Sequence, residues 1–190
     1  MSSGPDRSLS ISVPRILWGS RKYYWKELCM SEKEMIAEQL DQEIQTTLKV
    51  LKAYPESKLD LKPSEKSRTA RELAWTLVSD AKVFSGALDG AVNLQNLPKP
   101  PQSLKDIIAT LEESRKELIS KLGKMPEQQF QKTVKFPVGP KQMGDVPLNQ
   151  FGWFALKDHV HHRGQFSIYL RIAGGKLPSI YGPTADEPWM

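Results

Sequence analysis

Cysteine is almost missing from this sequence. Cys29 is the single cysteine among 190 residues, which excludes an internal disulfide framework. With no secretory signal pattern at the start, the expected compartment is a reducing cytoplasm. No apolar run approaches the roughly 18 to 20 residues that a membrane-spanning helix needs. We therefore expect a cytoplasmic protein with no membrane partner.

Several catalytic motifs are missing as well. The chain contains no glycine-rich phosphate loop, no serine nucleophile elbow and no Cys-x-x-Cys pair. These absences remove the usual sequence signatures of phosphate binding, serine catalysis and dithiol redox chemistry. Any chemistry must come from side chains that the fold brings together.

The excess of positive charge is concentrated near the N-terminus. The whole chain carries a net charge of +5, of which residues 1–29 contribute +3 and the other 161 residues only +2. The main part of the chain has no basic stripe of the kind that binds nucleic acid. We therefore expect no nucleic-acid partner.

The first 29 residues differ in composition from the rest. They are rich in Ser, Gly, Pro and basic residues and show no sustained periodicity. Ser31 and Glu34 then form a capping-box pattern, which predicts that the first helix begins there. We interpret 1–30 as an extension, flexible or partly docked, or as an over-long reading of the start codon. Residues 31–190 are the predicted functional domain.

Apolar residues recur at helical spacing in four stretches of the remaining chain. The predicted helices cover about 31–53, 69–88, 104–122 and 148–173. Residues 124–146 are irregular and include the alternating run KTVKFPV, which suggests a hairpin arm. The fold class is therefore predicted to be all-α, a four-helix bundle with a short irregular or hairpin insertion before the last helix.

The last predicted helix carries the candidate functional site. Steps of three and four residues place one apolar stripe on its inward face: Leu148, Phe151, Ala155, Asp158, His162, Gln165, Tyr169 and Ile172. Asp158 and His162 are one turn apart in this register, so their side chains point the same way. A carboxylate and an imidazole so placed are a reasonable pair of ligands for a divalent metal.

A purely structural role for this pair is the alternative. An Asp and a His one turn apart can form a buried hydrogen-bonded pair without any metal. In this interpretation His159 and His161 are ordinary surface histidines, and Arg163 makes an interhelical hydrogen bond or ion pair. The chain has no histidine outside 159–162, so a third metal donor must be another residue type from another helix.

Two segments resemble a known family. Residues 158–187, DHVHHRGQFSIYLRIAGGKLPSIYGPTADE, resemble the C-terminal signature of the DinB-like proteins, most clearly in HHRGQ, YLR and PSIYGP. The segment RTARELAWTLVSDAKVF on the second helix extends the resemblance over most of 31–187. The resemblance implies a four-helix bundle of up-down-down-up type, commonly a homodimer.

The resemblance also implies a metal site. Relatives hold zinc or nickel with three histidines, one on the second helix and an H-x-x-x-H pair on the last. In this sequence His162 matches the second histidine of the pair, whereas Asp158 stands at the first position and Thr76 at the second-helix position. Asp80, one turn after Thr76, is a substitute donor; His159 and Tyr181 are further candidates for the pocket.

Three interpretations follow from the altered ligand set. The first is a weaker metal site built from Asp158, His162 and water or Asp80; the second is a metal-free pocket for a small-molecule ligand; the third is a purely structural pair. Some relatives are thiol-dependent transferases or isomerases. The predicted function is accordingly metal-assisted thiol transfer or hydrolysis, with the metal weakly bound or absent. The alternative is a non-catalytic small-ligand-binding or stress-associated bundle protein.

Overall fold

The computed structural model describes residues 30–92, 94 and 97–189. The predicted extension and Cys29 therefore lie outside the described residues. Four long helices form the domain: α1 (Glu32–Lys52), α2 (Ala70–Leu88), α3 (Leu104–Lys124) and α4 (Leu148–Ile172). Their ends agree with the predicted ends to within two residues. None of the described helices is both long enough and apolar enough to cross a bilayer.

Side-chain caps explain where the first three helices begin. Ser31 and Thr69 each accept a hydrogen bond from the backbone N–H three residues later, while the glutamate at that position bonds back to the cap. These capping boxes satisfy backbone donors that would otherwise have no partner. Ser103 caps α3 in the simpler way. After α4, Gly174 adopts a φ of 81°, a left-handed conformation that ends the helix.

Each long helix packs against two neighbours. α1 and α2 both contact α3 and α4, so α1 lies diagonally opposite α2. α1 and α3 are antiparallel, because Lys33 near the start of α1 donates to the carbonyl of Met125 beyond the end of α3. α2 and α3 are parallel, since Lys121 near the end of α3 pairs with Asp89 just after α2.

The direction of α4 completes the topology. Asn149 and Trp153, at the start of α4, both donate hydrogen bonds to the carboxylate of Glu32 at the start of α1. α1 and α4 are therefore parallel. The four helices run up, down, down and up, and the predicted four-helix bundle is confirmed.

A two-stranded hairpin connects α3 to α4. A single helical turn (Glu127–Phe130) leads into β1 (Thr133–Gly139), which pairs in antiparallel fashion with β2 (Gln142–Pro147). The hairpin predicted from the alternating sequence is confirmed. Its function in the fold is to bring the Phe136 ring against α4, where it lies edge-on to Phe151 with 4.7 Å between ring centroids.

The buried face of α4 differs from the predicted stripe. Its C-terminal half buries His159 and Arg163, which are 2% and 1% exposed, whereas Ile172 is 53% exposed. Steps of three and four residues assume 3.5 residues per turn, but an α-helix has about 3.6, so the predicted stripe rotates away by about 20° per heptad. The predicted inward face is therefore wrong at Gln165 and Ile172, which are exposed, and correct at Tyr169, which is buried. Asp158 and His162 lie on the flank of the buried face.

Candidate metal centre

A cleft of about 350 Å³ opens between α2 and α4. Thr76, Asp80, Asp158 and His162 all line it. The α2 residues and the α4 residues face each other because the two helices pack as direct neighbours. The polar groups of the two helices that the sequence singled out thus meet in one cavity.

Three of these side chains lie close enough to share one metal ion. Asp80, Asp158 and His162 each offer a donor atom, and the three atoms lie within 4.8 Å of one another. All three side chains are partly buried. Two carboxylate oxygens and one imidazole nitrogen are a donor set that suits a divalent cation, with positions left for water.

Asp80 has an unsatisfied carboxylate in this cluster. Its Oδ2 is buried and has no hydrogen-bond partner in the part of the chain that the structure describes. Burial and, to a smaller extent, the nearby negative charge of Asp158 raise the pKa of Asp80 to about 7, against the opposing effect of Arg68. A buried oxygen without a donor and a neighbouring like charge both favour a cation at this position.

His162 is oriented by a neighbouring amide. Its Nδ1 lies 2.9 Å from Oε1 of Gln165, an oxygen that only accepts hydrogen bonds, so Nδ1 carries the proton. In the neutral ring Nε2 then has the free lone pair, and it lies 3.6 Å from Oδ1 of Asp158. Partners that fix the tautomer of a ligating histidine in this way are typical of metal sites.

Thr76 uses its hydroxyl for hydrogen bonds within the protein. Its Oγ1 accepts from the guanidinium of Arg68 at 2.8 Å and donates to the carbonyl of Glu72 at 3.0 Å. A neutral hydroxyl is a weak ligand in any case. Thr76 stands at the position where the family resemblance implies a histidine. Its hydroxyl holds the side chain of Arg68 against the cleft.

His159 lies in the interior of the bundle, so its interpretation as a surface histidine is wrong. Its Nε2 is 2.8 Å from Oγ1 of Thr47 on α1. Burial, together with the neighbouring Arg163 and His162, lowers the pKa of His159 to about 3. His159 borders a small internal cavity whose lining includes Asp80, whereas it does not line the open cleft.

Arg163, one turn after His159 on α4, forms the predicted interhelical ion pair. The guanidinium of Arg163 pairs with the carboxylate of Glu43 on α1 and also donates to the hydroxyl of Tyr181. Tyr181 in turn donates to Glu43 at 2.9 Å and stacks on the guanidinium at 5.0 Å. Tyr181 therefore fastens the C-terminal tail between α1 and α4 instead of lining the cleft.

Aromatic rings form the apolar wall of the cleft. Phe136 from the hairpin, Phe151 and Phe154 from α4 are in mutual contact, with ring centroids 4.7 to 6.0 Å apart. Trp75 on α2 lines the cleft as well, and its indole N–H donates to the carbonyl of Pro98 at 2.6 Å. The polar cluster is therefore bordered by a surface that excludes water.

Sequence reasoning missed Arg68 and gave Gln165 the wrong role. Arg68 precedes the predicted start of α2, so no periodic pattern includes it. Gln165 was predicted to face inward but is exposed, and its link to His162 depends on one turn of α4. Only the i, i+3 spacing of these two residues could have indicated the contact.

Comparisons with known proteins agree with this fold. The model of the DinB family matches residues 30–189. An uncharacterised protein of Bacillus subtilis, YrdA, is 23% identical over 147 residues, which cover 76% of this chain and 85% of YrdA. A DinB-like protein from Bacillus cereus superposes with a TM-score of 0.65 at 20% identity, over 77% of this chain and 95% of that one. YfiT from Bacillus subtilis, described as a probable metal-dependent hydrolase with an unusual four-helix bundle topology, gives a TM-score of 0.60 at 16% identity, over 86% and 94%.

Proposed function

The chain belongs to the DinB family, and from this premise we propose that it binds one divalent metal ion through Asp80, Asp158 and His162 and acts as a metal-dependent hydrolase. The observation that carries the proposal is the convergence of three donor atoms within 4.8 Å of one another in an open cleft. One donor comes from α2 and two from α4, the same two helices on which the family resemblance places metal ligands.

The ligand set argues for a retuned site. Replacing two imidazoles by carboxylates favours ions that accept oxygen donors, so Zn²⁺ and Mn²⁺ are better candidates than softer transition-metal ions. Asp80 compensates for Thr76 because it lies one turn further along α2. A cation would also satisfy the buried Oδ2 of Asp80, which has no donor among the described residues.

The chain's own residues have definable tasks in such a reaction. A bound divalent ion would supply acidified water and polarise a substrate carbonyl. Gln165 keeps the proton of His162 on Nδ1 and so leaves Nε2 free to ligate. The rings of Phe136 and Phe154 exclude bulk water from one side of the cleft, which strengthens the electrostatic interactions inside it.

Hydrolysis is favoured over the non-catalytic alternative by two points. YfiT, whose fold this chain shares, is described as a probable metal-dependent hydrolase. Three protein donors also leave open positions, as in catalytic rather than closed structural sites. The homodimer and the cytoplasmic location stay predictions.

Metal titration of protein purified without an affinity tag tests the proposal. We expect one equivalent of Zn²⁺ or Mn²⁺ by calorimetry and elemental analysis, and a large loss of affinity in Asp80→Asn and His162→Ala. His161→Ala is the matched control, because it removes an exposed histidine beside the site. Less than about a tenth of an equivalent of any of Zn²⁺, Mn²⁺ and Ni²⁺ would overturn the metal site.

A further inference from the structure

Arg68 occupies a position that connects the cleft to a second groove. It lines the cleft of the metal centre, and with His162 it also lines a neighbouring groove of about 500 Å³ between the loop before α2 and the second half of α4. Lys66 borders this groove too. A permanently charged guanidinium therefore lies where the two openings meet.

The structure holds Arg68 in place by two contacts. The hydroxyl of Tyr169 on α4 donates to the backbone carbonyl of Arg68 at 2.8 Å. The side chain is held separately, because Nη1 donates to Oγ1 of Thr76 at 2.8 Å. Fixing both the backbone and one end of the guanidinium reduces the entropy that would be lost when a ligand binds.

The guanidinium has binding capacity left. An arginine offers five N–H donors in a planar fork that matches a carboxylate. In the described part of the chain, one hydrogen bond of this side chain is to Thr76 and no carboxylate lies within 4.0 Å of it. Arg68 is exposed, so an anionic ligand can reach the unused donors.

The opposite side of the cleft is apolar. Phe136 from the hairpin and Phe154 from α4 line it, and Phe154 remains 49% exposed. Burial of ring surface by an apolar group stabilises a complex in proportion to the area removed from water. The cleft therefore holds one fixed cation, one apolar wall and the three metal donors.

We propose that Arg68 is the specificity-determining residue of this site, and that the substrates are N-acyl amino acids or similar amides with an apolar acyl group and a carboxylate. The acyl group would lie against Phe136 and Phe154 and the carboxylate would bind Arg68, with the amide between them at the metal donors. The reaction part of this inference rests on the proposed hydrolytic function. Water would add its oxygen to the carbonyl carbon, the C–N bond would break, and the nitrogen would take a proton, giving a carboxylic acid and a free amino acid.

Calorimetric titration with N-phenylacetylglycine and with its primary amide tests the recognition step. Both probes share the phenyl group and differ only in the carboxylate. We expect the acid to bind the wild-type protein at least about tenfold more tightly than the amide. Arg68→Gln should abolish this preference, and Arg68→Lys should retain part of it because the charge stays. Lys66→Gln, which removes the next cation in the groove, should leave the preference unchanged.

Two further measurements separate the possible failures. Thr76→Val removes the acceptor that holds Arg68, so we expect a reduced preference for the acid, and thermal unfolding reports whether each variant is folded. Every titration is run with Mn²⁺ and with a chelator. A carboxylate preference without metal binding would overturn the proposed function alone. No preference in the wild-type protein, or an undiminished preference in folded Arg68→Gln, would overturn this inference.

Discussion

Thr47 on α1 and His159 on α4 are hydrogen-bonded across the interior of the bundle, with 2.8 Å between Oγ1 and Nε2. The imidazole is 2% exposed and the hydroxyl is fully buried. A neutral histidine satisfies this arrangement, whereas a charged one would be buried near the guanidinium of Arg163. The pair therefore couples the packing of α1 against α4 to the protonation of one ring.

The first prediction concerns acid stability. The pKa of His159 is lowered from 6.5 to about 3 in the folded protein, so between these values the unfolded chain binds the extra proton. The stabilisation that comes from keeping His159 neutral is fully present above about pH 6.5. Below that pH the free energy of unfolding falls, by up to about 1.4 kcal/mol per pH unit. Urea unfolding between pH 7 and pH 4, with a chelator present, should show a smaller loss of stability in His159→Gln than in the wild type.

The exposed His161 provides the control for this experiment. It lies two residues away on the outer face of α4, so His161→Gln should follow the wild-type pH dependence. Equal slopes in the wild type and His159→Gln would contradict the assignment of the acid sensitivity to His159.

The second prediction is that Asp80→Asn changes the stability of the protein in opposite directions without and with bound metal. Its pKa is raised to about 7, so in the metal-free protein it destabilises the fold progressively as the pH rises from about 4 to about 7. Asp80→Asn should therefore be more stable than the wild type at pH 8 with a chelator, by on the order of 1 to 3 kcal/mol. Saturating Zn²⁺ should reverse the order, because it stabilises only the protein that binds it.

Thermal unfolding in the four combinations of protein and metal measures this effect. Asp158→Asn is a useful comparison, since it removes the charge that faces Asp80 and should stabilise the metal-free protein less. A wild type that exceeds Asp80→Asn in stability at pH 8 without metal would refute the prediction.

The third prediction concerns Gln165 as a positioning residue. Gln165→Leu removes the acceptor for Nδ1 of His162, so both tautomers and other ring orientations become available. Loss of such a partner typically lowers metal affinity about 10- to 100-fold. Competition with a chromophoric chelator should show this loss, while Gln165→Glu, which keeps an acceptor, should bind at least as tightly as the wild type.

A fourth prediction contrasts two helical glycines. A methyl group added at Gly164 on α4 would meet no atom within 4 Å, so Gly164→Ala should stabilise the protein by about 0.5 to 1 kcal/mol. A methyl group at Gly86 on α2 would lie 2.7 Å from the carbonyl oxygen of Ala91. That carbonyl belongs to the turn that ends α2, so Gly86→Ala should destabilise by about 1 to 3 kcal/mol. Denaturant midpoints of the two variants should shift in opposite directions.

Much of the fold follows from local features of the sequence. Ser31 and Thr69 fix the first turns of α1 and α2 through contacts that span only three residues. The alternation in KTVKFPV identifies β1, and Gly174 ends α4. Such features depend on a residue and its near neighbours, which a sequence displays directly.

The sequence predicts the candidate site only in part. Asp158 and His162 were correctly paired because one turn of helix places them side by side in any packing. The prediction that His162 and not His159 faces the interior was wrong. The two residues are less than one helical turn apart, so a small rotation of α4 exchanges which of them is buried. The packing of α1 and α2 on either side of α4 decides that choice, and a single helix carries no information about it.

The altered site shows the same division between sequence and structure. By itself the sequence determined that two of the three expected histidines are replaced, because residue identity at a motif position needs no coordinates. Only the tertiary structure decided that Asp80 meets Asp158 and His162 and that Thr76 holds Arg68 over the cleft. These contacts join α2 to α4 and to the loop before α2, so they exist only once the helices have packed. The pair on the last helix is a property of the sequence; the site around it is a property of the fold.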